Sequence, residues 1–170
     1  KNAPDAAERH LAQLAPQLGM TEAERGKVLY QVALWTVASY LPDSARRLAA
    51  VPAASYDERL HEWRAREAMA RGDWAAALEA IRLMPAKQRE DSRWRWFEGR
   101  MLEKTGRAAE AQALFRAAAA SPNFHGFLAA DRLGLPYALC PWQPGDPPSL
   151  RTEVARDPAL QRALALYRID

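Results

Sequence analysis

The sequence predicts an all-α protein, a right-handed superhelix of antiparallel helix pairs (an α-α solenoid, tetratricopeptide-like). Three observations carry that expectation. Alanine supplies 36 of the 170 residues and glycine only eight, and alanine loses least on entering a helix. Helix start and stop signals alternate along the chain, with no hairpin turn between them. Residues 63–81 superpose on 97–115, pairing Trp63 with Phe97, Arg66 with Arg100, Gly72 with Gly106, Ala77 with Ala111 and Ile81 with Phe115. The offset is 34 residues, the length of one tetratricopeptide helix pair. Each pair leaves an apolar face that only a neighbouring pair can cover, so the pairs stack. Alanines at successive helix turns let the axes approach closely, which favours such a stack over a four-helix bundle. Before Tyr56 the period fades.

Each element has its own local signals. Pro4-Asp5 opens a first helix that stops at Gly19. Thr21-Glu22-Ala23-Glu24 is a capping box for a helix with Val28, Leu29, Val32 and Trp35 on its apolar face, ending near Leu41-Pro42. Asp43 to Ala50 is a short helix bounded by Pro52. Ser55-Tyr56-Asp57-Glu58 reads as a second capping box, for a helix burying Leu60, Trp63 and Met69 and closing at Gly72, a left-handed C-terminal residue. Asp73 caps a helix that runs to Pro85. Helices follow over about Ser92–Thr105, Ala108–Ala120 and Phe124–Leu133, the last closing at Gly134. Pro136, Pro141, Pro144, Pro147 and Pro148 forbid regular helix, so residues 136–149 form a connector. Asp157-Pro158 starts a final helix, with proline at its tolerated first position. The expected organisation is therefore a repeat domain over 1–135, a proline-rich connector over 136–149, and linker helices over 150–170.

Composition narrows the function. The net charge is only +3, and the 20 arginines are scattered among helices; a nucleic-acid partner calls for a basic stripe on one element. No apolar run approaches the roughly 18 residues of a membrane span. Cys140 is the single cysteine, so no internal disulfide is expected. The chain opens at Lys1 without methionine and stops at Asp170 in mid-pattern, which reads as a piece of a longer protein.

Catalytic motifs are missing. His61-Glu62 begins like the zincin motif, but Ala65 stands where the second histidine is needed. His10, His61 and His125 share no ligand spacing, so neither a metal nor another cofactor is expected. No serine sits in a Gly-x-Ser-x-Gly elbow, and Cys140 has no histidine nearby to activate it. Glu58, Glu62, Glu67, Glu79 and Glu98 fall near arginines at helical spacing, which reads as solvated ion pairs rather than a glycosidase pair. Trp35, Trp63, Trp74, Trp94 and Phe97 lie on apolar stripes and are expected in the core. Trp96 sits on the other flank of its helix, between Arg95 and Arg100. It suits packing between repeats or, with Arg95, a surface that stacks on sugar rings. Trp142 in the connector pins that segment or lines a cleft.

Three stretches resemble the soluble lytic murein transglycosylases: Arg71-Gly72-Asp73-Trp74 with its helix, Arg93 to Arg100 (RWRWFEGR), and Phe124 to Tyr137 (FHGFLAADRLGLPY). The last is the most specific, and the resemblance spans about residues 56–137. It implies a periplasmic enzyme acting on peptidoglycan, in which a long helical superhelix supports a lysozyme-like domain. That domain cleaves the β-1,4 bond between N-acetylmuramic acid and N-acetylglucosamine, leaving a 1,6-anhydro end, with one glutamate in a Glu-Ser pair as acid and then base. No glutamate here is followed by serine. The resemblance thus implies a non-catalytic scaffold whose partners are murein glycan strands and the parent's own C-terminal catalytic domain. Arg95, Trp96, Arg132, Tyr137 and Trp142 are the candidate glycan or domain contacts. The alternative is a stand-alone tetratricopeptide-like adaptor that binds a protein in its concave groove.

Overall fold

The computed structural model describes residues 4–139, 145 and 147–168. Its helices are α1 (Pro4–Gln17), α2 (Glu22–Ala38), α3 (Ser44–Ala50), α4 (Glu58–Ala70), α5 (Trp74–Arg82), α6 (Ala86–Arg89), α7 (Ser92–Lys104), α8 (Ala108–Ala119), α9 (Phe124–Leu133), α10 (Pro148–Ala155) and α11 (Pro158–Tyr167). No strand occurs among the described residues. The chain divides into two compact units, Lys1–Ala138 and Leu139–Asp170.

In the first unit successive helices pack in antiparallel pairs, α4 on α5 and α7 on α8, and the pairs stack through α5 against α7 and α8 against α9. This is the α-solenoid anticipated from the sequence. The 34-residue offset is visible in the helix bounds themselves: α4 and α7 begin and end 34 residues apart, and so do the starts of α5 and α8. Asp57 and Asp91 occupy the equivalent N-caps, their carboxylates accepting from Leu60 N–H and Arg93 N–H. Gly72 and Gly106 follow the equivalent C-termini with φ of 74° and 79°, a conformation that costs glycine nothing. Equivalent side chains are buried together: Leu60 and Trp94, Ala68 and Leu102, Ala77 and Ala111, Ile81 and Phe115. One apolar cluster runs through α4–α9 around Trp94 and Phe115. A second joins α2, α3 and α4 through Leu34, Val37, Leu48 and Leu60.

Several local expectations need correction. The cap of α4 is Asp57, not Ser55; Ala53–Ser55 is a 3-10 turn, and Ser55 packs where a side chain on Gly26 would otherwise stand. Trp35 is 51% exposed, because no described helix covers that flank of α2. Glu98 is buried, its carboxylate accepting from Arg82 Nε at 3.2 Å and Arg89 Nη2 at 3.2 Å. α5 and α6 bring those two guanidiniums over α7, so the charge is compensated where it is buried. In the second unit α10 begins at Pro148, inside the expected connector. Pro147 is the N-cap and Pro148 the first helical residue, where a missing N–H costs no bond.

α1 is tied to α3 by charge. Arg47 is 4% exposed; it donates to Glu8 Oε2 at 3.2 Å and to Thr36 Oγ1 at 3.1 Å, and pairs with Asp5. Arg46 grips Glu8 bidentately at 2.6 and 2.9 Å. The Arg46 hydrogen bond, helped by Arg47 and opposed by partial burial, lowers the Glu8 pKa from 4.5 to about 2. The folded value is the lower one. The stabilisation is therefore complete above pH 4.5 and is lost as pH falls towards about 2. Arg46 is half-exposed, so screening limits the contribution to about 1 kcal/mol. Glu8→Gln should lower stability by that amount at neutral pH and flatten the acid limb of a urea-denaturation series. A variant whose deficit persists unchanged down to the acid end would rule this account out.

Candidate functional site

The candidate residues fall at two places in the α7–α9 region. Trp96 is half-buried on α7, its ring 5.3 Å from Phe115, and the Arg100 guanidinium lies 5.8 Å from its centroid. Arg100 pairs with Glu103 one turn on. Glu103 Oε1 in turn accepts from Arg132 Nε at 2.9 Å and Nη2 at 2.8 Å. Trp96 and Arg132 are thus joined in one ladder, Trp96–Arg100–Glu103–Arg132, that clamps α9 to α7. Tyr137 stands just past α9, its hydroxyl donating to Asp131 Oδ1 at 2.8 Å and its ring 5.0 Å from Phe127. That hydrogen bond, and the Asp131 charge with it, raise the Tyr137 pKa. The Arg95 side chain is half-buried and takes no part in the ladder. Trp142 and Cys140 lie outside the described residues.

The stretch Phe124–Tyr137 has a packing role. Asn123 caps α9 by accepting from Gly126 N–H at 3.1 Å, and it also accepts from the Ser92 hydroxyl at 2.9 Å. Gly126, Ala129 and Ala130 form the buried flank, so small residues let α9 lie close on α8.

A different place has the shape of a binding site. A groove of about 630 Å³ opens between the end of α2, the loop to α3, and α4. Val37, Leu41, Ala45, Trp63 and Ala70 supply its apolar wall, and Asp43, Arg66, Glu67 and Arg71 its polar rim. Tyr40 stands in it with its ring edge-on to Trp63, 6.5 Å between centroids at 78°. Arg66 lies over Trp63 at 5.6 Å. The loop's backbone is unusual, since Tyr40 and Asp43 have φ of 53° and 67°. Tyr40 N–H donates to Val37 O and Leu41 N–H to Thr36 O, which is the Schellman ending. The same pair of bonds closes α4 and α7, but there glycine takes the left-handed position. A tyrosine in it costs about 1–2 kcal/mol.

Sequence reasoning read Leu41-Pro42 as a helix stop and did not see this groove. The available signal was an aromatic residue standing in the slot that the other helix ends give to glycine.

Among the described residues no three metal-ligating side chains come together, and no helix is long and apolar enough to cross a membrane. The site features define a class of protein: an α-helical solenoid with ion pairs between its helices and an aromatic groove. No protein family and no curated protein matches the chain. Among solved structures it is similar to the X-ray structure of an inactive mutant of the lytic transglycosylase Slt from Pseudomonas aeruginosa. The two are 25% identical with a TM-score of 0.70, over 98% of this chain and 28% of that one. The chain carries a lytic-transglycosylase-like helical domain.

Proposed function

We propose that this chain is a non-catalytic helical part of a periplasmic peptidoglycan lytic transglycosylase. It supports a lysozyme-like catalytic domain and guides murein glycan strands towards it. The likeness to Slt over 98% of the chain and 28% of Slt's length carries the reading. The absence of a Glu-Ser pair from the sequence supports the non-catalytic part, and the ion-paired, tightly packed α7–α9 region suits a rigid support. Bond cleavage belongs, on this reading, to the longer protein.

The test is to mix the purified chain with insoluble murein sacculi. The chain should pellet with the sacculi and leave their turbidity unchanged. Clearance of the suspension would overturn the non-catalytic assignment, and a chain left in the supernatant would overturn the guiding role. The 34-residue helix pairs by themselves also fit a protein-binding adaptor. Reading the gene past Asp170 separates the two, since only the first reading expects a lysozyme-like extension.

A further inference from the structure

We propose that the groove between α2, α3 and α4 is a sugar-binding subsite that takes a short N-acetylglucosamine-bearing stretch of an amino-sugar strand, with the exposed Tyr40 ring as its stacking surface. The inference rests on the murein-guiding reading and names where such a strand would lie.

Tyr40 is the first argument. It is 82% exposed, so burial gives no reason for a tyrosine here, and it holds a left-handed conformation that glycine would adopt without strain. Strain at an exposed residue points to a use for the side chain. The second is the company it keeps. Among the described residues, both non-glycine residues with positive φ, Tyr40 and Asp43, line this groove.

Charge selects the ligand. Two guanidiniums, Arg66 and Arg71, face two carboxylates, Asp43 and Glu67. Each is already paired: Arg66 with Glu62, Arg71 Nε with Glu67 at 2.7 Å, and Asp43 with Arg46 at 3.4 Å. A balanced rim offers no net attraction to a phosphate or nucleic-acid backbone, yet it supplies donors and acceptors for hydroxyl and acetamido groups. The exposed Tyr40 ring can take the C–H face of a sugar, while Trp63, under Arg66, forms the wall beside it. The volume lies in the range of about 300–1,000 Å³ found for small-molecule sites.

The probe is a soluble tetramer of β-1,4-linked N-acetylglucosamine, titrated into the chain by calorimetry. Wild type should bind. Tyr40→Gly should weaken binding by about tenfold, the upper worth of one aromatic contact, while the melting temperature stays within about 3 °C or rises. Tyr40→Phe should bind like wild type, because stacking needs the ring and not the hydroxyl. Equal binding by wild type and Tyr40→Gly overturns the proposal, as does a Tyr40-dependent affinity for free stem peptides without affinity for the tetramer. A chain that pellets with sacculi but ignores the tetramer also overturns it and leaves the murein reading standing. Tyr40-dependent tetramer binding without sacculus pelleting keeps the subsite and sinks the murein reading.

Discussion

Gly126→Ala is expected to lower the melting temperature by roughly 10 °C, a loss of about 3 kcal/mol or more. At an exposed helical position the same change stabilises, by about 0.5–1 kcal/mol, because alanine loses less entropy on folding. Here the sign reverses. A Cβ on Gly126 would stand 1.9 Å from the Ser121 carbonyl oxygen and 2.9 Å from that of Ala118. Both obstacles are backbone, so no rotamer change relieves them. The Ser121 carbonyl is also held by Asn123 N–H at 2.9 Å, next to the residue that caps α9. The helix must therefore move off α8, exposing Ala129 and Ala130 and loosening the Arg132–Glu103 clamp. Thermal denaturation followed by circular dichroism decides the matter; an unchanged or higher midpoint would show that α9 is not seated as described.

Phe115→Ala is expected to cost about 3–5 kcal/mol, the usual loss when a buried phenyl leaves a cavity. Phe115 is fully buried at the centre of the α4–α9 cluster, where Trp96 and Gly99, one turn apart on α7, both face it. A Cβ on Gly99 would come within 2.5 Å of Phe115 Cε1. Gly99→Ala alone should then cost about 1–3 kcal/mol through overpacking. The repeat shows why the pair belongs together. One period earlier the equivalent residues are Ala65 and Ile81, both fully buried; where the larger phenyl enters, the facing residue shrinks to glycine. The double variant Gly99→Ala/Phe115→Ile should thus be more stable than the sum of the two single losses predicts. Strict additivity in denaturant titrations would mean that the two positions do not share one space.

Much of the helical order was legible because its causes are local. Asp73, Gly72, Gly106 and Gly134 act on backbone groups a few residues away, so their effects are written in adjacent sequence. The misplaced cap at Ser55 shows the margin of such reasoning: Asp57, two residues later, competes for the same helix start and wins. Trp35 and Glu98 were misjudged for a different reason. Periodicity tells which side chains share a face of a helix, but not whether another helix covers that face. Trp35 stands at the exposed end of an apolar stripe whose Val32 is buried and whose Leu29 packs on the core. Glu98 looks like a solvated surface charge until α5 and α6 carry Arg82 and Arg89 onto it.

The candidate site divides in the same way. Trp96 and Arg132 were chosen for residue type and resemblance, and only the packing of α7 on α9 links them through Arg100 and Glu103. The groove at Tyr40 could not be read from the chain, since its walls come from residues 37–45 and 63–71. By itself the sequence determined most of the helices of the first unit, many of their ends and the 34-residue repeat, because capping, propensity and periodicity act within one or two turns. The tertiary structure alone decided which faces are covered, which charges are buried and where an aromatic groove remains open. Those depend on contacts between segments far apart in the chain, whose geometry is set by how neighbouring helices fill one another's space.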